Sequence, residues 1–578
     1  MNLKGEVIMK ITHKKKLGKK VASAILGALM VVSIPMVAGA KDIDVPTKPN
    51  TGCQYDASVV KSATGTTSDV AGCSESFLKS YFSINADMIS VKTEAQLKSA
   101  LAKSGNKKIR LLANITPRNK LSVNGKNIIY LNGYKLNSLA KVKGNAKNVN
   151  FYSYVEKESD FTKALSFNNS NYPQRIILRK DISLSNKQYN VKYAKTQIYL
   201  NKHNVNIKEG GQIYINNNYV EIAGNDDSKK TLKSVGNTSS GSKSLIEIAP
   251  NKSNIYLRHF NVVASDFYDN AIKMGGKDNS ITLLNMDITS YKSGSTAVNL
   301  CGTSGNAISN VKVNSINIKS NGYGLKGNYV SKFTINGDDK GTRKKYDTQK
   351  NSINFTNSGY LKLGSRNKVD FYVCTKSAKE NGVYFSNVKN SHVQSITTAV
   401  TSGRYGLVIN NSKNIYVPKQ FANCDNNDDS TVSINNSDVI TIYGNVKNKK
   451  AKNLQKFNCV SSSNITLNSV SIDSCSITGN TSKLLFRNVK FNKNLSITGT
   501  NSTSKINQFF FDGTTEIKNG FSFTNVTQFE SKKDVKLTGG TGKVTNGSYF
   551  TLTNMMNTVK SKFVLSNCSK YTPTTLLR

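Results

Sequence analysis

Between residues 405 and 470 the chain alternates apolar and polar residues, turns, and repeats the pattern. Leu407-Val408-Ile409-Asn410-Asn411-Ser412-Lys413-Asn414-Ile415-Tyr416-Val417 is followed by Val432-Ser433-Ile434-Asn435-Asn436-Ser437-Asp438-Val439-Ile440-Thr441-Ile442. The third copy is Phe457-Asn458-Cys459-Val460-Ser461-Ser462-Ser463-Asn464-Ile465-Thr466-Leu467. Ile409, Ile434 and Cys459 are 25 residues apart in turn, and so are Ile415, Ile440 and Ile465. Each unit is a short alternating strand, an Asn/Ser turn and a second strand, so its apolar side chains form one row. A single unit has nothing to bury that row against, whereas stacked units bury it against one another. The pattern predicts an all-β solenoid whose units are the coils of a parallel β-helix. Cys459, in the register of Ile409 and Ile434, is then a buried apolar filler.

From about residue 236 onward, strand starts recur at Ile255, Ile281, Val311, Ile353, Val393, Ile415, Ile440 and Ile465, in steps of 26, 30, 42, 40, 22, 25 and 25. Steps near 25 are single coils. The steps of 42 and 40 are either coils with long loops, such as 336–345, or two coils with one weakly marked. Upstream, a helical stretch at 93–101 precedes strands at 109–115 and 129–132. A second set follows at 159–165, 176–182 and 198–201, offset by 64, 67 and 69 residues. A helix ahead of strands suits a cap, because an uncovered β-helix end exposes unpaired strand groups. The duplication fits two caps, or a cap and an inserted module. The expected division is 1–40, 41–85, 86–152 (cap and first coils), 153–235 (duplicated module), 236–570 (coils) and a tail at 571–578. At 25 residues per coil, 86–570 gives about 19 coils, a rod of roughly 90 Å at ~4.8 Å per strand.

Composition agrees with a thin stack: 578 residues, 37% hydrophobic, no Trp and only 8 Pro. The formal charge is +45, and removing the seven Lys and one Glu within residues 1–40 leaves +39. Such a surplus favours anionic partners: acidic glycans, wall polymers, membrane surfaces or nucleic acid. An AT-rich coding sequence, which yields Lys, Asn and Ile, would produce the same surplus. No nucleic-acid recognition motif is visible. Residues 1–40 read as an export signal: Lys14, Lys15, Lys16, Lys19 and Lys20, an apolar run at 21–37, then Ala38-Gly39-Ala40. No other segment approaches the ~20 apolar residues of a membrane span. In an exported chain, Cys53 and Cys73 are candidates for a disulfide.

The Asn-x-Ile-x-Val/Leu coils, with the 97–101 helix ahead of 109–115, resemble the pectin-lyase-like right-handed parallel β-helix superfamily and, more loosely, secreted bacterial β-helix surface proteins. The resemblance spans roughly 86–570. It implies a right-handed β-helix with a short N-terminal capping helix and a secreted or cell-surface bacterial protein. It also implies a ladder of stacked amides at Asn410 and Asn435 or, one step off, at Asn411 and Asn436. The fold hosts lyases, hydrolases and adhesins alike, so function must come from the site. The Gly-His-Gly and Asn-Thr-Asp motifs of polygalacturonases are missing, and the histidines are only His13, His203, His259 and His392. The Trp-containing and Arg-x-Pro-x-x-Arg motifs of pectate lyases are missing too.

Two constellations carry candidate chemistry. Residues 187–203 are basic and aromatic. Lys192, Tyr193, Lys195, Tyr199 and Lys202 form a candidate glycan-binding strip, with Tyr193, Lys195 and Tyr199 sharing strand parity. Asp425, Asp428 and Asp429 form a carboxylate cluster of the kind calcium binds. Arg404 and Asp429 each stand five residues before equivalent isoleucines, which places Arg404 one coil away as a candidate lyase base. The first expectation is an exported, non-enzymatic surface protein that needs no cofactor and binds acidic polysaccharide or wall polymer. The alternative is a polysaccharide lyase or hydrolase, with calcium if a lyase.

Overall fold

The structure is a computed structural model describing residues 88–574, apart from short stretches between and within strands. These include 138–141, 144–148, 226–228, 237–240, 337–343, 365–370, 376–379, 401–404, 418–421, 424–430 and 445–453. It is a right-handed parallel β-helix. All pairings between its strands are parallel, as they must be when each coil advances to lie on the last. Sheet 1 has 21 strands, from Met88–Val91 to Tyr571–Thr574. Sheet 2 has 10, from Ile182–Leu184 to Ala422–Asn423. Sheet 3 starts at Gln188–Val191 and ends at Lys562–Ser566. From Gln188–Val191 onward each coil runs from sheet 3 to sheet 1 and, down to Ala422–Asn423, on to sheet 2. At ~4.8 Å per rung the 21 strands make a rod of roughly 95 Å.

The columns follow the alternation seen in the chain. Ile415 pairs with Ile440 and Ile440 with Ile465. Ile409 pairs with Ile434 and Ile434 with Cys459, all buried. Burial raises the Cys459 thiol to about 12. The two long steps together cover three coils, because Ile353 is not a sheet 1 start. Val311 pairs with Phe333 and Phe333 with Leu361, whereas Ile353 stands in sheet 3 between Leu325 and Val383. Period-two alternation shows that a strand exists but not which side of the coil it forms, so Ile353 mimicked a sheet 1 start.

The corner from sheet 3 to sheet 1 is the most regular part. Phe355 and Leu361, Phe385 and Ser391, Ile409 and Ile415, Ile434 and Ile440, and Cys459 and Ile465 are each six residues apart. The turn uses two left-handed residues three apart: Asn357, Asn387, Asn411 and Asn436 with φ of 49, 54, 47 and 46°, then Tyr360, Asn390, Asn414 and Val439 with φ of 54, 52, 56 and 56°. The amide ladder forms one residue earlier, where Asn435 donates to Asn410 at 2.7 Å. A serine column follows. Ser412, Ser437 and Ser462 each donate to a carbonyl two residues back, at 2.7, 2.8 and 2.8 Å. Ser437 and Ser462 accept the backbone N–H of Ser412 and Ser437 at 3.1 and 3.0 Å, and Ser412 accepts that of Val388 at 3.0 Å. Each hydroxyl thus closes its own turn and pins the previous coil.

Two helices interrupt the strands. α1 (Glu94–Ala102) has a capping box of Thr93 and Gln96 and buries Leu97, Ala100 and Leu101 in the core of the first coils. α2 (Glu158–Ser166) buries Phe161, Ala164 and Leu165 in the main core. Its first turn is held by Glu158, which accepts from Ser185 and Tyr189, each at 2.6 Å, and pairs with Lys187 at 2.7 Å. These donors, Lys187 foremost, hold the Glu158 carboxyl down at about 2. Beyond sheet 2 the coils shorten. Cys459 pairs with Ile477, and phenylalanines fill the core, with Phe486, Phe509 and Phe511 centroids 4.9 to 5.8 Å apart. Among the described residues no helix is long and apolar enough to cross a membrane.

Candidate functional site

In register, the outward residues of sheet 1 form columns as continuous as those of the core. One column runs Tyr130, Tyr152, Arg175, Gln197, Glu221, Tyr256, Thr282, Lys312, Thr334, Lys362, His392, Tyr416, Thr441. Its two halves differ in character.

The first half is a closed polar network. Arg175 donates to the Tyr152 hydroxyl and, at 2.8 Å, to Gln197. Gln197 donates to Glu221 at 3.0 Å, and Glu221 also accepts from Arg258 at 2.5 Å. Arg175, Arg258 and Glu221 are no more than 2% exposed although they point away from the core. Buried charges persist only when paired in this way, so the network ties five coils together rather than presenting charge to a ligand.

The second half is more open at Lys362, His392 and Tyr416, with Thr334 and Thr441 of the same column buried. His392 and Tyr416 are half-buried, and their ring centroids are 5.4 Å apart at 60°. Tyr443, two residues beyond Thr441, continues the row 5.3 Å from Tyr416 at 62°. Lys362 lies one rung before His392. Three rings and an ammonium therefore stand on successive coils of one flat face. Aromatic faces suit the C–H face of a sugar and the cation suits its carboxylate. Acidic side chains elsewhere are matched across coils, as in Lys413–Asp438 at 2.9 Å, Arg487–Asp512 at 2.8 Å and Lys490–Glu516 at 2.7 Å. With 80 Lys and Arg against 35 Asp and Glu, complete pairing would still leave a strongly cationic surface.

The strip at 192–202 does not form one surface. Lys192 and Tyr193 lie at the corner before sheet 1, with the Lys192 ammonium 5.5 Å from the Tyr193 ring centre. Lys195 takes the left-handed conformation, φ 59°, which breaks the strand parity that seemed to align it with Tyr199. Tyr199, in strand Thr196–Tyr199, is buried at 1% exposure, and Lys202 lies past the strand's other end. The corner gains instead Tyr219, the next-coil counterpart of Lys195, which is 42% exposed. Arg404, Asp425, Asp428, Asp429, Cys53 and Cys73 lie outside the described residues, as do residues 1–40. The sheet 1 row gives no signal in the apolar pattern, because its residues stand at the polar positions between the core residues. Tyr416, one residue after Ile415, was already in register with Thr441 and Thr466.

No family model matches this chain, and no curated protein matches it. Among solved structures, the siphovirus 9NA tailspike receptor binding domain is similar over 76% of this chain and 79% of that chain, at 9% identity and a TM-score of 0.18. A likeness that low carries no argument about function.

Proposed function

We propose that this chain is an exported, non-catalytic bacterial surface protein that binds acidic polysaccharide or cell-wall polymer along the outer face of sheet 1. The observation that supports it most is the half-exposed row of His392, Tyr416 and Tyr443 with Lys362 at its end. The cationic surplus adds attraction that is long-ranged at low salt and screened at high salt. The resemblance to the pectin-lyase-like superfamily enters as a matter of scaffold, and neither a cofactor nor nucleic acid is part of the reading.

The test is binding of the full chain to polygalacturonate, alginate and purified wall polymer, by calorimetry at rising salt. The expected result is affinity that falls with salt and drops about tenfold in the Tyr416→Ala, Tyr443→Ala double variant, as for loss of well-placed aromatic contacts. No binding to any of these polymers at low ionic strength overturns the partner. Appearance of the ultraviolet absorbance of an unsaturated uronide, with or without calcium, overturns the non-catalytic assignment.

A further inference from the structure

The middle of the outer face of sheet 3 is poor in charge. Between Lys326 and Lys543, one outward column reads Asn354, Tyr384, Val408, Ser433, Asn458, Ser476, Ser496, Ser522. The column beside it reads Asn328, Thr356, Ser386, Asn410, Asn435, Val460, Thr478, Thr498, Thr524, Thr545. Within these bounds neither column holds a charged residue, and Lys456, exposed two residues before Asn458, stands at their edge.

Two tyrosines are fixed on this face. The Tyr384 hydroxyl accepts from Asn410 at 3.1 Å, and Asn410 accepts from Asn435 at 2.7 Å. The Tyr405 hydroxyl accepts from Asn458 at 2.8 Å, on the second coil beyond its own. To reach it, the Tyr405 side chain lies along the rod past the coil that carries Ser433. Val408 and Ser433, which point outward in the Asn458 column, are each only 5% exposed. Both rings are half-buried, and both have lost the freedom to swing. Each hydroxyl, accepting from an amide, keeps its own proton to donate.

The geometry points to a second binding site here, for uncharged pyranose units, distinct from the acidic-polymer row on sheet 1. Immobilised aromatic rings offer apolar faces for sugar C–H groups. Flanking amides and hydroxyls pair with sugar hydroxyls, and a neutral ring seated on these two columns covers no ammonium or carboxylate within them. Locking the rings beforehand removes an ordering cost of about 0.5–1.5 kcal/mol per side chain, or about two- to tenfold in affinity.

The experiment measures binding of the full chain to cellohexaose, maltohexaose and the hexamer of N-acetylglucosamine. It is run by calorimetry in about 1 M salt, where the Debye length is ~3 Å and the sheet 1 attraction is screened. At least one hexamer should bind, with little change at lower salt. Tyr405→Ala should weaken it about tenfold, and Asn458→Ala, which frees the ring without removing it, about threefold. Both variants should keep the parent's binding to acidic polymer, which separates failure of this site from failure of the first. The assignment is overturned if no hexamer binds or if Tyr405→Ala binds as the parent does. It is also overturned if the parent is a dimer that Tyr405→Ala dissociates, which would place a second copy on this face.

Discussion

Removing one hydroxyl from the serine column tests how the coils are held. Ser437 is 3% exposed, donates to Asn435 O at 2.8 Å and accepts the Ser412 N–H at 3.1 Å. Ser437→Ala changes little volume, so the cavity term is small. The cost is the hydrogen bond to Asn435 and a buried Ser412 N–H left without its acceptor. The net bond is worth ~1 kcal/mol and the orphaned donor ~1–3 kcal/mol, so about 2 kcal/mol in total is expected. Coils contact only their neighbours, so the loss should concentrate in the two coils that share the bond. Native-state hydrogen exchange reads this directly: the Ser412 amide should lose about 30-fold protection, while amides near α1 stay unchanged. Ser437→Thr, which keeps the hydroxyl, should lose less. Ser166→Ala, at an exposed hydroxyl, should stay within about 0.5 kcal/mol of the parent. If Ser437→Ala is as stable as Ser166→Ala and the Ser412 amide exchanges as before, the column is incidental to coil cohesion.

Three further outcomes follow from the same geometry. Glu221→Ala takes the carboxylate from Arg258 and Gln197 in a buried network and should cost about 3–5 kcal/mol in denaturant unfolding, with Glu221→Gln costing less; a loss below 1 kcal/mol would contradict the network. Glu158, held at about 2 against an ordinary 4.5, has a depressed folded-state pKa, so its stabilisation is complete above 4.5 and disappears as pH falls toward 2. The stability gap between the parent and Glu158→Gln should therefore close between pH 5 and 2, and a gap that persists at pH 2 argues against the assignment. Cys459, whose thiol burial pushes to about 12, and Cys475, whose thiol burial raises well above its ordinary value, should resist iodoacetamide until the chain unfolds; native-state labelling faster than unfolding would contradict their burial.

The coil repeat was legible because Asn/Ser turns punctuate 407–467 at a constant interval and the apolar rows between them alternate cleanly. The side of each strand was not legible, since Ile353-Asn354-Phe355 alternates just as a sheet 1 strand does. Outward columns were hidden by uneven coil length. Ile222 pairs with Leu257, 35 residues on, but Phe457 with Cys475, only 18 on, so register cannot be carried by counting. The 192–202 strip failed for a local reason: Lys195 turns left-handed, and parity on one side of it says nothing about the other. The roles of Ser412, Ser437 and Ser462 were not legible, because a hydroxyl that bonds within its own turn and to the previous coil gives no pattern until coils are stacked.

From Phe355 to Ile465 the corner is held at six residues and gives that part of the molecule a spine. There the coils differ in length only at the other two corners, so the columns on either side of the spine keep their phase, whereas earlier in the rod the same corner takes eleven residues from Leu300 to Val311. An inserted peptide at the other two corners would bulge outward and leave the neighbouring rungs in step, whereas one added residue after Asn410 would turn every later side chain of its strand inside out. New loops can therefore be grafted, by selection or by design, along two edges of this stretch without rewriting its interior.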